Sequence, residues 1–263
     1  MASKNAGSSN RRAELRAARE REAARLRRRR IIVAVVAVVV AAALIATIAL
    51  AASGVFSGKS GSSSNSSNGA VTTRPPNASP DDKGVFSADN TNASAPVLTV
   101  VDDFQCPACH QYETIYGPVF ESLAKKGQIR LEYRTRHFLD INLKNDSSVR
   151  AARAAACADT VGKYQEFHDT VFSNQPSKEG AGYTDDQLRN SFAQGAGITG
   201  DDLSKFQSCY DKGEMNAFVD AVDTKASADG YNSTPTFIAN NKQLQFTSSS
   251  PTEDYVMQIV KAA

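Results

Sequence analysis

The sequence predicts an α/β domain with an inserted helical block, preceded by one N-terminal transmembrane helix. Three observations carry this reading. Residues 31–52 form an apolar run without a single charge. Near residues 97–133 a strand pattern leads through a helical pattern into a second strand. From residue 146 to about 230 every signal is helical, before a hairpin and a last helix close the chain.

The first third of the 263 residues is too polar, too basic or too uniformly apolar to join a soluble core. Residues 1–30 hold eleven Lys or Arg against Glu14, Glu20 and Glu22, a net +8, so a total of +2 leaves −6 on the rest. A basic arm of this kind can bind nucleic acid, but here it runs straight into the apolar stretch, which favours a membrane-flanking role and no nucleic-acid partner. As a helix, 22 residues reach about 33 Å, enough to span a hydrocarbon core of about 30 Å. Residues 31–53 are therefore read as a single-pass anchor. The Arg27–Arg30 cluster places residues 1–30 in the cytoplasm and everything later outside it. A cleaved signal peptide ending near Ala49-Leu50-Ala51 is the alternative, although its apolar core is usually about 7 to 15 residues. Both readings export the domain.

Residues 54–83 read as a flexible linker, because their Ser, Asn, Gly and Pro cannot bury enough apolar surface to fold. A coil of 27 residues (57–83) would span roughly 29 Å. The domain is then residues 84–263, with its helical insert at about 146–230. Four cysteines, at 106, 109, 157 and 209, lie in a compartment where disulfides persist.

Val97 to Val101 is a β-branched and apolar run suited to a strand buried on both faces. After Pro107, Tyr112, Ile115, Tyr116, Val119, Phe120 and Leu123 fall on one helical face. Pro107 suits the first turn, Gly117-Pro118 is expected to kink the helix, and Gly127 to end it. Ile129 to Tyr133 alternates as a second strand, making a strand–helix–strand unit. In the insert, Thr184-Asp185-Asp186-Gln187 is a capping box. Thr236–Ile238 and Leu244–Phe246 read as a hairpin around Asn240-Asn241. Ser250-Pro251-Thr252-Glu253 reads as a second capping box that opens the final helix.

Cys106-Pro107-Ala108-Cys109 carries the chemistry. At a helix start, unpaired backbone N–H groups and the helix dipole favour the Cys106 thiolate, whose pKa at such sites falls to about 3.5–7.5. Cys106 is expected to be the exposed nucleophile, and Cys109, one turn inside, the shielded thiol that resolves mixed disulfides. Continuing to His110 the motif spells a haem-attachment pattern, with Met215 and Met257 as the downstream axial candidates. The buried strand just before it and the proline inside it argue against haem. Zinc fits no better, since Cys157 and Cys209 are single cysteines; an inert staple is the bland alternative. No cofactor and no metal are expected. Cys157 and Cys209, both in the insert, read as a structural disulfide closing about 53 residues, with two buried thiols as the alternative.

The order of elements, the Asp103-Phe104-Gln105-Cys106-Pro107-Ala108-Cys109 segment and Ser233-Thr234-Pro235-Thr236-Phe237 together resemble the DsbA-like branch of the thioredoxin superfamily, over about residues 84–263. The resemblance implies a thioredoxin fold with a helical insert and a cis Pro235 loop against the sulfurs. It also implies that Thr234 faces Cys106, where its hydroxyl could donate a hydrogen bond. Glu113 matches an acidic position one turn after Cys109, with a role in tuning or relaying its proton; an ordinary solvated Glu is the alternative. Two positions depart from the pattern: Ala108 stands where the prototype has His, and Val100 where an acid often lies beneath the motif. His110 is read as a surface side chain, and His137 and His168, without evident partners, as structural. The activity implied is thiol-disulfide exchange on exported proteins, as an oxidase recharged by a quinone-linked membrane partner. A reductase or isomerase, or a non-enzymatic peptide-binding module, are the alternatives.

Overall fold

The computed structural model of the chain describes residues 71–87 and 92–263. The basic tail, the apolar run at 31–53 and most of the linker lie outside these residues. Among the described residues no helix is long and apolar enough to cross a membrane.

Five strands form one sheet in the order β1-β3-β2-β4-β5. At its centre β2 (Val97–Asp102) runs parallel to β3 (Arg130–Thr135) and antiparallel to β4 (Thr236–Ala239). The crossover between β2 and β3 is α1 (Pro107–Lys125), so the expected strand–helix–strand unit is present. Parallel neighbours bury a strand on both faces, and all of β2 except Val97 is buried. Helix α1 runs through Gly117-Pro118 as one element. It ends where Gly127 takes φ 64° and the Gln128 N–H returns to the Leu123 carbonyl at 2.9 Å. Tyr116, Phe120 and Leu123 bury its apolar face.

The hairpin turns at Asn240 (φ 49°) and Asn241 (φ 60°), the pair of left-handed residues that a two-residue turn between strands requires. Its second strand, β5 (Lys242–Leu244), starts two residues earlier than expected. Phe246 lies beyond it and packs against Tyr116 and Phe120, with ring centroids 5.3 and 5.4 Å away. The last helix, α8 (Glu253–Ala262), is capped by Thr252, whose hydroxyl accepts from the Tyr255 N–H at 3.2 Å. Pro251 therefore precedes the cap rather than opening the helix. Glu253 instead pairs with Lys126 at 2.6 Å, docking α8 on the end of α1.

The insert consists of α2 (Leu139–Leu143), α3 (Ser147–Asp159), α4 (Tyr164–Ser173), a π-helical turn (Gln187–Ser191) leading into α5 (Phe192–Gly195), α6 (Gly200–Lys212) and α7 (Asn216–Ala228). Thr184 and Gln187 form the reciprocal capping box, each side chain accepting from the other's N–H at 3.1 and 2.8 Å. Helix α3 is the hub. Its Ala151, Ala152, Ala154, Ala155, Ala156 and Ala158 are all buried, and side chains this small let α4, α6 and α7 pack on several faces at once. Cys157 on α3 and Cys209 on α6 form a disulfide with Cα atoms 5.8 Å apart.

The segment from Val71 to Lys83, read from sequence as the end of a free linker, is packed on the domain. Ala78 bridges to Val85, and β1 (Val85–Phe86) adds an antiparallel edge to β3 that sequence reading missed. Arg74 pairs with Asp82. Asn77 donates twice to the Asp159 carboxylate at the end of α3, from its backbone N–H at 2.7 Å and its side-chain amide at 2.8 Å. Burial pushes the Asp159 carboxyl up, and the two Asn77 bonds oppose that shift. Composition misjudged this segment because its polar groups find buried partners instead of water. Replacing Asn77 by Ala should therefore cost about 2 kcal/mol, since it leaves a desolvated carboxylate short of a donor. Urea denaturation checks this; a change within about 0.5 kcal/mol would make the segment peripheral.

Candidate active site

The site is built where β2 ends. The Cys106 N–H donates to the Asp103 carbonyl at 2.9 Å, which turns the chain from strand into helix. Asp103 is fully buried, and its carboxylate accepts from the Gln105 N–H (2.9 Å), the Ser148 hydroxyl (2.6 Å) and the Leu139 N–H (3.3 Å). Burial outweighs these bonds and pushes its carboxyl up to about 7. The Gln105 amide reaches Asp140 at 2.7 Å and Asn145 at 2.9 Å, while the Tyr183 hydroxyl and the Gln175 amide donate to the Phe104 carbonyl at 2.7 and 2.8 Å. Every one of these partners beyond the loop belongs to the insert or its connections. The insert thus holds the cysteine loop in place.

Cys106 is the N-cap of α1, and its sulfur accepts from the Cys109 N–H at 3.4 Å. The sulfur also lies 3.6 Å from the main-chain carbonyl of Thr234. Its pKa is lowered to about 6. The largest cause is a hydrogen bond from the Cys109 thiol, opposed by burial and aided by the Thr234 side chain and the N–H groups of Cys109 and Ala108. Cys109 moves the other way: burial raises its pKa well above the ordinary thiol value, and the charges of Cys106 and Asp102 add to that. Both side chains are buried, at 7 % and 3 % exposure, so Cys106 is not the exposed sulfur that sequence reading expected. The difference between them is electrostatic. Pro107 and Ala108 form the exposed rim, and the Thr234-Pro235 peptide is cis.

Beneath Cys109 lies a charged layer that sequence reading largely missed. Val100 leaves the usual acidic position apolar, but Asp102, at the last position of β2, is buried and lines a cavity of about 10 Å³ with Cys109, Glu113 and Pro235. Its Oδ2 lies 2.8 Å from Nε2 of His168, a fully buried residue of α4. His168 is therefore not without a partner. Burial alone would lower its pKa, but hydrogen bonds to Asp102 and Asp169 reverse the shift and hold it at about 10, as an imidazolium. Glu113 is half-buried rather than freely solvated, and desolvation raises its carboxyl to about 7. His110 is tied down as well, its Nδ1 2.7 Å from the Phe172 carbonyl. The only legible signal for this layer was the acid ending an apolar strand; nothing local linked it to a histidine 66 positions away.

The arrangement can support nucleophilic sulfur chemistry with distinct roles for the two thiols. Alkylation of the reduced protein should occur at Cys106 alone and follow a titration with its midpoint near pH 6. The thiolate then persists above that pH and is lost below it. Mass spectrometry of the labelled site across pH checks both points, and a midpoint above about 8, near an ordinary thiol, would sink the electrostatic account.

A family model described as thioredoxin matches residues 90–261. No curated protein sequence matches the chain. Among solved structures, reduced DsbA from Mycobacterium tuberculosis is 29% identical, with 59% of this chain and 77% of that one covered and a TM-score of 0.50. The disulfide bond oxidoreductase DsbG from the same organism is 28% identical over 59% and 73%, with the same score. MdbA from Actinomyces oris, a thiol-disulfide oxidoreductase, is 18% identical over 70% and 89% with a TM-score of 0.57, a likeness of fold alone. The family match runs from ahead of β2 to the last turn of α8, and on that span the chain belongs to the thioredoxin family.

Proposed function

We propose that the chain is a thiol-disulfide oxidoreductase that works as an oxidase, donating a Cys106–Cys109 disulfide to newly exported proteins. The observation that carries this reading is the opposite displacement of the two thiols, Cys106 down to about 6 and Cys109 well up. A stabilised Cys106 thiolate favours the dithiol form, which makes the corresponding disulfide a stronger oxidant. The likeness to proteins described as disulfide oxidoreductases supports the same chemistry.

In the proposed cycle a substrate thiolate attacks Cys106 of the disulfide form. The Cys106–Cys109 bond breaks, and Cys109 leaves as a thiolate that takes up a proton. A second substrate thiolate then attacks the substrate sulfur of the mixed disulfide, and Cys106 departs as its stabilised thiolate. Two electrons have passed from two substrate thiols to the cysteine pair, and no cofactor is needed. A quinone-linked membrane protein would take those electrons on. The basic cluster and apolar run before the domain support a single-pass anchor with a cytoplasmic N-terminus and an extracytoplasmic catalytic domain, which keeps the site near both partners. A reductase or isomerase would use the same groups, and the reduction potential of the pair decides the direction.

Two experiments follow. Cys109→Ala should accumulate mixed disulfides, because its Cys106 thiolate can still attack a disulfide of an exported protein and no Cys109 thiol remains to displace that protein again, while Cys106→Ala should trap almost none. Equal trapping by both would overturn the roles, and none by either, in folded exported protein, would favour the peptide-binding module. Ala108→His should make the pair more oxidising, since a donor beside the sulfur favours the thiolate. The gain would be about 30 mV for each pH unit by which the Cys106 midpoint falls, read against glutathione.

A further inference from the structure

Arg136, the residue after β3, is 4% exposed and carries a charge that must be paired inside the domain. Its main-chain N–H donates to the Asp102 carbonyl at 2.7 Å, which fixes its backbone to the end of β2, beside the cysteine loop. Its guanidinium is shared between two partners. Nε donates to Oδ1 of Asp223 on α7 at 2.5 Å, and Nη1 donates to the Tyr231 carbonyl. Asp223 is held in turn by the His137 N–H, which donates to the same oxygen at 3.2 Å, and the guanidinium carbon lies over the Phe138 ring, 5.1 Å from its centroid.

The carbonyl that Arg136 takes belongs to the loop that faces the reactive sulfur. Helix α7 is closed by Gly230, whose φ of 85° lets the Tyr231 N–H return to the Ala226 carbonyl at 2.9 Å. From there Tyr231, Asn232, Ser233 and Thr234 lead to Pro235 and β4. Asn232 and Ser233 are exposed, and Thr234 is half-buried, with its carbonyl 3.6 Å from Sγ of Cys106. The far end of the loop is closed by the Thr236 hydroxyl, which donates to the Ser233 carbonyl at 2.8 Å. Its near end hangs on Arg136. A segment with so little buried apolar surface takes its position from such hydrogen bonds.

We propose that Arg136 is a positioning residue for thiol-disulfide exchange: locked by Asp223, its guanidinium fixes the Tyr231 carbonyl and so sets Thr234 against Cys106. The inference rests on the thiol chemistry of the cysteine pair and not on its direction. The fork is what the position requires. A planar guanidinium presents its N–H groups at fixed angles and meets a carboxylate and a carbonyl at once, whereas the ammonium of a lysine is a point charge. The insert thereby fixes both sides of the sulfur, the cysteine loop through Ser148, Asp140 and Tyr183 and the facing loop through Asp223. Thr234 is among the groups that hold the Cys106 pKa down, so loosening the loop has a defined sign: the thiolate is destabilised and its pKa rises.

The test is the pH titration of Cys106 alkylation in the reduced full chain in detergent, which needs neither substrate nor redox partner. Arg136→Lys keeps the charge but not the fork, and its midpoint should rise by about one pH unit, the loss of one hydrogen bond to the thiolate. Thr234→Val removes the hydroxyl and should raise the midpoint by itself. Adding Arg136→Lys to Thr234→Val should then move it clearly less than Arg136→Lys moves the wild type, because both act through the same contact. Asp223→Asn leaves Arg136 in place with a weaker partner; it should shift the midpoint the same way by less, and it serves where the lysine variant does not fold. Asn77→Ala, destabilised away from this loop, should leave the midpoint where it is, which separates positioning from lost stability. An unchanged midpoint in the folded Arg136 and Asp223 variants, an equal rise in Asn77→Ala, or full additivity with Thr234→Val would overturn the role of Arg136 alone. A wild-type midpoint near that of an ordinary thiol would overturn the account of the cysteine pair and this role with it.

Discussion

The hydrogen bond from the Cys109 N–H to the Cys106 sulfur is the contact on which the rest of the site depends. It exists only because Cys106 occupies the N-cap of α1, with Pro107 at the first helical position where no N–H is missed. A cap is ordinarily an oxygen that satisfies an orphan donor. Here a sulfur takes that place, and the same donors that would stabilise a helix stabilise a thiolate instead. Cys109, one turn further in, directs its thiol and its N–H at that sulfur, the thiol lowering the Cys106 pKa most, while burial of Cys109 raises its own.

Holding a helix start at that angle falls to the insert. The loop before Cys106 has few apolar contacts of its own beyond Phe104, and its polar atoms are met by Ser148, Asp140, Asn145, Gln175 and Tyr183. Phe104 packs against Phe172 and edge-on to His168 of α4, with ring centroids 5.1 and 5.4 Å away. The alanine-rich α3, locked to α6 by the Cys157–Cys209 disulfide, fixes where those partners stand. The insert is therefore part of the machinery that sets the cysteine chemistry as well as a cover for the sheet.

Features that depend on near neighbours were legible in the sequence. The β2–α1–β3 unit followed from a continuous apolar run, a helical face of 3.6-residue period and an alternating run, the capping box at Thr184 from four residues, and the turn from Asn240-Asn241. The cysteine pair announced itself by spacing. What escaped were pairings over long separations: Asn77 with Asp159, Asp102 with His168, and the hold of the insert on Asp103 and Gln105. Thr252 rather than Ser250 capping α8 is a smaller instance, with Glu253 turned to Lys126 across the fold. Composition marks residues 71–83 as unable to fold because it counts apolar groups, whereas this segment is held by hydrogen bonds to a buried carboxylate.

The buried acid shows how such a site is assembled without its usual residue. An acid at position 100 would stand within β2 and point into an apolar layer; Val100 there packs the core, opposite Phe237 on β4. Placing the charge at Asp102 moves it to the strand end, beside Cys109, where it still must be compensated. A buried carboxylate is costly without a partner. His168, delivered by α4, supplies one, its Nε2 2.8 Å from Oδ2 of Asp102. Compensation brings its own demand, because a fully buried imidazolium needs a second acceptor on Nδ1, and this draws Asp169 and then Glu113 into the cluster. One charge beneath the resolving thiol thus propagates along α4 to the α1–α4 surface, while the Cys109 thiol itself is raised first by its own burial and then by Cys106 and Asp102.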